Sequence, residues 1–171
     1  MIFVTVGAAV EGMEFDRLIN KIDEIGCEIE EEIVAQIGSI KKPPDNIKWF
    51  RYMNFTEILA YFKNASFIIG HCGTGTVLNA LKFNKPIIVV PRKMEFGEHD
   101  IDDHQLELAD RLKNLKGVFV VYDIEELKET MFKVMGLLKT GQLKPSFSQE
   151  HYNLLKFLRD YVRDYRVQLE G

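Results

Sequence analysis

Within six residues, His71-Cys72-Gly73-Thr74-Gly75-Thr76 places an imidazole, two glycines and two hydroxyls side by side. Glycine has no Cβ, so a turn built on Gly73 and Gly75 takes backbone angles closed to other residues and lets another group come close to the chain. Thr74 and Thr76 fall where the next segment starts as a helix. Hydroxyls, unpaired N–H groups and the positive end of the helix dipole there suit a phosphate. His71, the last residue before the turn, stands where a ring N–H can donate to a phosphoryl oxygen. The same pattern also serves plain turn chemistry and a satisfied structural histidine, and on the pattern alone both readings stay open.

A second polar stretch follows, Gly97-Glu98-His99-Asp100-Ile101-Asp102-Asp103-His104-Gln105. His104 and Gln105 can donate and accept hydrogen bonds to sugar hydroxyls. Glu98, His99, Asp100, Asp102, Asp103 and His104 are also a conceivable divalent-metal ligand set. So dense a charge run reads more simply as a solvated loop, and neither a metal nor a cofactor is expected.

Two strands position these stretches. Phe67–Gly70 is a short apolar run, followed by a ten-residue helical segment ending before Lys85-Pro86, and Ile87–Val90 is a second apolar run closed by Pro91. This is a βαβ unit whose polar loops both fall on the carboxyl edge of a parallel sheet, where ligands of open α/β sheets bind.

The rest of the chain repeats the alternation. Ile2–Val6 reads as a buried strand, and Met13–Ile25 as a helix with Phe15, Leu18, Ile19, Ile22 and Ile25 on one face, ending at Gly26 as C-cap. Glu30–Ile37, closed by Gly38, and Ile47–Tyr52 read as strands. The glutamates of 28–32 form a solvated face. Asn54 or Thr56 caps a helix through Phe62. Gln105–Leu115 reads as a helix and Val118–Val121 as a sixth strand. Asp123 reads as an N-cap, with Glu126 at the capping-box position of a helix to Leu138. Leu154, Leu155, Leu158, Tyr161, Val162, Tyr165 and Leu169 mark an amphipathic terminal helix over 147–170 that packs back on the domain. The expectation is a doubly wound α/β fold with a mostly parallel sheet of about six strands. It forms one domain over 1–171 with its core in 1–139, and the ligand lies near Gly7, 73–76 and the 92–105 loop.

Composition narrows the function classes. The chain has 171 residues, 46% hydrophobic, and a net charge of −4, which suits one core and no basic nucleic-acid footprint. Cys27 and Cys72 form no framework and fit reduced thiols. The apolar start lacks a basic n-region, and no run approaches the roughly 20 residues that span a bilayer. A cytoplasmic protein that works beside a membrane is expected.

The strings His71–Thr76, Leu78-Asn79-Ala80-Leu81, Lys85–Pro91 and Asp103–Ala109, with the opening Met1–Gly7 and Phe15–Ile19, resemble the donor-binding half of GT-B glycosyltransferases. They are most similar to short bipartite ones: the cytosolic catalytic subunit of the UDP-N-acetylglucosamine transferase that adds the second sugar of the dolichol-linked oligosaccharide, and bacterial exopolysaccharide subunits. The resemblance covers roughly residues 1 to 125. It implies a Rossmann-like half that binds a UDP-sugar through Gly7, Met53, His71, Gly73, Thr74, Gly75, Thr76, Asn79, His104 and Gln105, with Tyr52 and Met53 toward the uracil. Two departures stand out. The family usually has Glu, on the ribose, where this chain has Asn79, and the loop Ala8–Gly12 lacks the Thr-His or Thr-Thr that relatives tend to place after the glycine.

The resemblance implies an inverting glycosyltransferase subunit, inactive alone, held at the inner face of the membrane by an anchored partner that brings the lipid-linked acceptor. No catalytic base is assigned, although Glu11 and His99 are conceivable. A non-catalytic nucleotide-sugar binding module is the alternative. A GT-B-like epimerase fits less well, because that chemistry draws on two domains of one chain.

Overall fold

The computed structural model describes residues 1–7, 12–98 and 104–143. The expected terminal helix over 147–170 lies outside them, as do Glu11, His99, Asp100, Asp102 and Asp103.

Six short strands form one parallel sheet: β1 (Ile2–Thr5), β2 (Ile33–Gln36), β3 (Lys48–Phe50), β4 (Ile68–His71), β5 (Ile87–Val90) and β6 (Val118–Val120). Their spatial order is β3-β2-β1-β4-β5-β6. The chain therefore winds outward in one direction from β1 and in the other from β4. At that reversal the loops leaving β1 and β4 part, opening a crevice at the carboxyl ends of the strands. Gly7 and His71 stand at its two sides.

Continuous apolar runs make strands buried on both faces. On one face, Val4, Ile69, Ile88 and Val90 pack under α1 (Asp16–Gly26) and α5 (Leu127–Lys139). On the other, Phe3, Ile68, Ile87 and Val89 pack under α2 (Phe55–Asn64), α3 (Thr74–Lys82) and α4 (His104–Leu112). Each fully buried Ile, Leu or Phe contributes roughly 1.5–3 kcal/mol. Periodicity on α1 places Leu18, Ile19, Ile22 and Ile25 inward, as read from the sequence.

Several expectations about element ends are corrected. Gly26 is the last helical residue of α1, and the next residue, Cys27, is still right-handed, so Gly26 is no left-handed cap. It is needed for space: a Cβ there would lie 2.6 Å from Ile47 Cγ2. Asn54 rather than Thr56 caps α2, and a full capping box joins it to Glu57. Asp123 caps a short 3-10 turn, Ile124–Glu126, through the Glu125 N–H, so the expected box with Glu126 is replaced by that turn and α5 starts at Leu127. The helix expected to Leu115 ends at Leu112 because the chain curls through Leu115 to Gly117, at φ +87°.

Candidate functional site

A cleft of about 660 Å³ opens over the carboxyl ends of β1, β2 and β4. Thr5, Gly7, Gln36 and His71 form its floor, Gly75, Thr76 and Asn79 of α3 one wall, and Tyr52, Met53, Phe55 and Ile58 the opposite apolar wall. Tyr52 and Phe55 are exposed at the rim while Phe62 is buried beneath them. The cleft thus has an apolar, aromatic end and a polar end, which is how sites for compound ligands are built.

The polar end centres on His71, the last residue of β4. Its ring is seated between two glycine backbones: a Cβ on Gly7 would sit 2.4 Å from His71 Cε1, and one on Gly73 2.3 Å from its Nε2. Thr76 Oγ1 lies 3.3 Å from His71 Nδ1. Gly73 takes φ −91°, an angle open to any residue, so its missing Cβ serves the imidazole and not a special turn. The expected special backbone angles are found at Gly7, φ +73°, while Gly75 lies within α3.

Gly73 precedes α3 and brings no side-chain cap. The first N–H groups of a helix have no acceptor inside it, and the dipole makes that end positive. Thr74, Gly75 and Thr76 occupy that first turn, with Thr76 nearly buried. Imidazole, hydroxyl and helix amides thus converge on one end of the cleft, an arrangement suited to an oxyanion such as a diphosphate.

Asn79 lies one turn further on. Its Nδ2 donates to Gly75 O at 2.9 Å, so the amide points back along α3 toward the first turn and borders the cleft.

His104 starts α4, and Gln105 is buried beside it with its Oε1 accepting from the Arg92 N–H at 3.1 Å. Neither is among the residues that line the cleft. Glu98, one of the six conceivable metal ligands, is nearly buried and engaged by Arg17 at 2.8 and 2.9 Å and by the Lys93 N–H at 3.0 Å. Among the described residues no group of three or more His, Cys, Asp or Glu converges as metal ligands would.

Sequence reasoning missed the buried polar residues beside the cleft. Arg92, 5% exposed, donates to the carbonyls of Met13, Val6 and Glu98. It joins the end of β1, the approach to α1 and the loop after β5. Burial pulls its pKa below the usual arginine value, and Glu98 pulls it the other way. Thr5 and Gln36 are likewise buried. Apart from the Arg92–Glu98 contact, these pairs join residues 31 to 86 positions apart, which no local periodicity announces. Cys72, inside the sequence motif, faces the core, and burial alone pushes its thiol up to about 12. It is a packing residue.

The glycosyltransferase family 28 C-terminal domain matches residues 1–160. The chain belongs to that family. UDP-N-acetylglucosamine transferase subunit ALG13 of Candida albicans is 33% identical over 124 residues, 67% of this chain and 40% of the relative. ALG13 of Saccharomyces cerevisiae is 26% identical over 126 residues, 72% of this chain and 55% of the relative. The chain thus spans about half or less of the length of these relatives. Among solved structures, Acinetobacter baumannii MurG superposes with a TM-score of 0.57 at 16% identity, over 92% of this chain and 49% of that one. The solution structure of ALG13 gives 0.55 at 20% identity, over 92% and 94%. At these identities the superpositions establish a fold, the Rossmann-like half of GT-B glycosyltransferases. No helix among the described residues is long and apolar enough to cross a membrane.

Proposed function

We propose that the chain is the donor-binding subunit of an inverting glycosyltransferase that takes a sugar from UDP-GlcNAc or a related UDP-hexose to a lipid-linked acceptor. The observation that carries this reading is the meeting of His71, Thr76 and the first turn of α3 at the reversal point of the sheet, beside an apolar wall. Transfer leaves a diphosphate with developing negative charge, and preorganised donors in a partly closed cleft stabilise it. His71, Thr74, Thr76 and the α3 amides supply those donors at the polar end, with Gly7 and Gly73 framing the ring. Tyr52 and Met53 take the uracil, and Asn79 the ribose. His104 and Gln105, at the start of α4 and outside the cleft lining, are assigned to the donor sugar where it extends beyond that lining. The ALG13 relatives are UDP-N-acetylglucosamine transferase subunits, which supports the donor and the subunit character.

A membrane-anchored partner brings the acceptor and the catalytic base, and the chain works at the inner face of the membrane through it. The described α/β domain supplies the donor side of the cleft that transfer requires, so on this reading the domain by itself binds and does not transfer. Titration calorimetry of UDP and UMP tests the donor site: a charge-assisted bond to the second phosphate makes UDP tighter by roughly 1.5–3 kcal/mol. Equal affinities remove the diphosphate site. A radiolabelled UDP-sugar assay on membranes lacking any partner, with purified chain added, tests the division of labour. Robust transfer there sinks the two-subunit reading.

Asn79 favours one second reading, a nucleotide-sugar binding module without catalysis, because its amide bonds back into α3 at the position where the resemblance implies that the family usually has Glu. UDP binding with no transfer in the presence of every candidate partner distinguishes the two.

A further inference from the structure

Two polar side chains interrupt an apolar row of the sheet. The residues in register across the six strands are Phe50, Gln36, Thr5, Gly70, Val89 and Val120. Thr5 and Gln36 are 3% and 5% exposed, positions where a Val–Leu pair fills the same space at no cost in buried polar groups.

Their hydrogen bonds go to each other and to Gly7. Thr5 Oγ1 donates to Gln36 Oε1 and accepts from the Gly7 N–H at 3.1 Å, and Gln36 Nε2 donates to Gly7 O at 3.0 Å. Both backbone polar groups of Gly7 are thereby held by side chains from two strands. Gly7 is held at φ +73°, and the face it turns toward β4 is the one on which the His71 ring rests. Gly70 completes the arrangement. A Cβ there would fall 2.9 Å from Thr5 O and 3.0 Å from Thr76 Cγ2, so its absence lets α3 settle onto β1 and brings Thr76 to His71 Nδ1.

We infer that Thr5 and Gln36 are positioning residues for His71: they lock Gly7, Gly7 and Gly73 fix the plane of the imidazole, and that plane sets where the ring meets the ligand's second phosphate. The phosphate half rests on the donor-binding reading above, whereas the positioning half stands on the free protein. A ring set loosely by even a fraction of an ångström forfeits much of a directional, charge-assisted bond. This explains why a buried polar pair sits at this row, where apolar residues pack as well.

The test uses the whole chain in four variants. Thr5→Val removes the hydroxyl at constant shape and Gln36→Leu removes the amide. Thr5→Ser keeps the hydroxyl, and Gln36→Met gives a second, flexible replacement should Leu fail to fold. Two readouts separate positioning from packing. In the free protein, the nuclear Overhauser contact between His71 Hε1 and Gly7 Hα should be strong in the native chain and in Thr5→Ser, and lost in Thr5→Val and the Gln36 variants. In titrations, the latter should cut the advantage of UDP over UMP by about fivefold or more, over and above any change that the altered cleft floor makes to both ligands alike. A folded Thr5→Val or Gln36 variant that keeps the contact overturns the inference. So does one that weakens UDP and UMP by the same factor, which marks a plain cleft-wall residue. A native chain that binds UDP no better than UMP overturns the diphosphate reading instead, and the free-protein contact still decides the positioning.

Discussion

Gly73 and Gly75 look alike in the sequence, each followed by a threonine in one motif, yet their surroundings differ. A Cβ on Gly73 collides with the His71 ring, while one on Gly75 meets nothing within 4 Å. Gly73→Ala is therefore expected to displace the imidazole at an otherwise acceptable backbone angle. UDP affinity should fall roughly tenfold, the worth of a charge-assisted hydrogen bond, with UMP affected less. Gly75→Ala should raise unfolding stability by roughly 0.5–1 kcal/mol, because alanine orders a helix at lower entropic cost. Paired titration and denaturant unfolding check both, and equal behaviour of the two variants contradicts the seating of His71. At Asn79 the side chain bonds to Gly75 O. A glutamate cannot donate there, so Asn79→Glu turns its carboxylate away from that carbonyl and toward the cleft. UDP binding should be unchanged or stronger; a loss beyond about tenfold in a folded variant means that a neutral donor is needed at this position.

At the scale of elements, α2 carries the apolar wall, and its start is defined by a reciprocal pair. The Glu57 N–H donates to Asn54 Oδ1 at 3.0 Å, and the Asn54 N–H to Glu57 Oε2 at 3.3 Å. Asn54→Ala is expected to cost about 1 kcal/mol of stability, read as a lower urea midpoint at unchanged slope. A midpoint equal to the native one shows that packing of Phe62 alone sets the helix. How much the sequence disclosed follows from the range of each interaction. Apolar runs and 3.6-residue spacing are local, so all six strands and the five described helices were legible within a few residues. The βαβ logic placed Gly7 and 73–76 on one edge, and the sheet order brings them together. What stayed hidden was decided by partners distant in sequence: Gly26 against Ile47, Glu98 against Arg17, Gln105 against the Arg92 N–H, and the Thr5–Gln36 pair. The acidic loop read as a solvated charge run because its charges are contiguous. In the fold, Glu98 turns inward, its carboxylate held by Arg17 and its carbonyl by the buried Arg92, which only tertiary structure reveals.

For the whole molecule, two protons held by burial couple the fold to alkaline pH. Cys72 lies between the sheet and α3, and burial raises its pKa from the usual 9.0 to about 12. Tyr122 is raised from the usual 10.0 to about 12, by burial first and then by its bond to the Asp110 carboxylate at 2.8 Å. Both groups bind protons more tightly folded than unfolded. Their contribution is fully present below about pH 9 and is lost as pH rises toward about 12, because the unfolded chain releases protons that the native chain keeps. Lys85, whose pKa burial lowers, works in the opposite sense. The urea midpoint should therefore hold from about pH 7 to 9 and decline above it. Between about pH 9 and 10 the decline belongs to Cys72, since Tyr122 starts to titrate only later in the unfolded chain, so Cys72→Ala should flatten that part of the curve. Thiol chemistry gives an independent reading. Cys27 is exposed and Cys72 buried, so a thiol reagent should label one cysteine in the native chain and both after denaturation. A midpoint that stays level to about pH 11, or a Cys72→Ala chain that declines as steeply as the native one, refutes the coupling and with it the seating of Cys72 as a sealed packing residue inside the ligand motif.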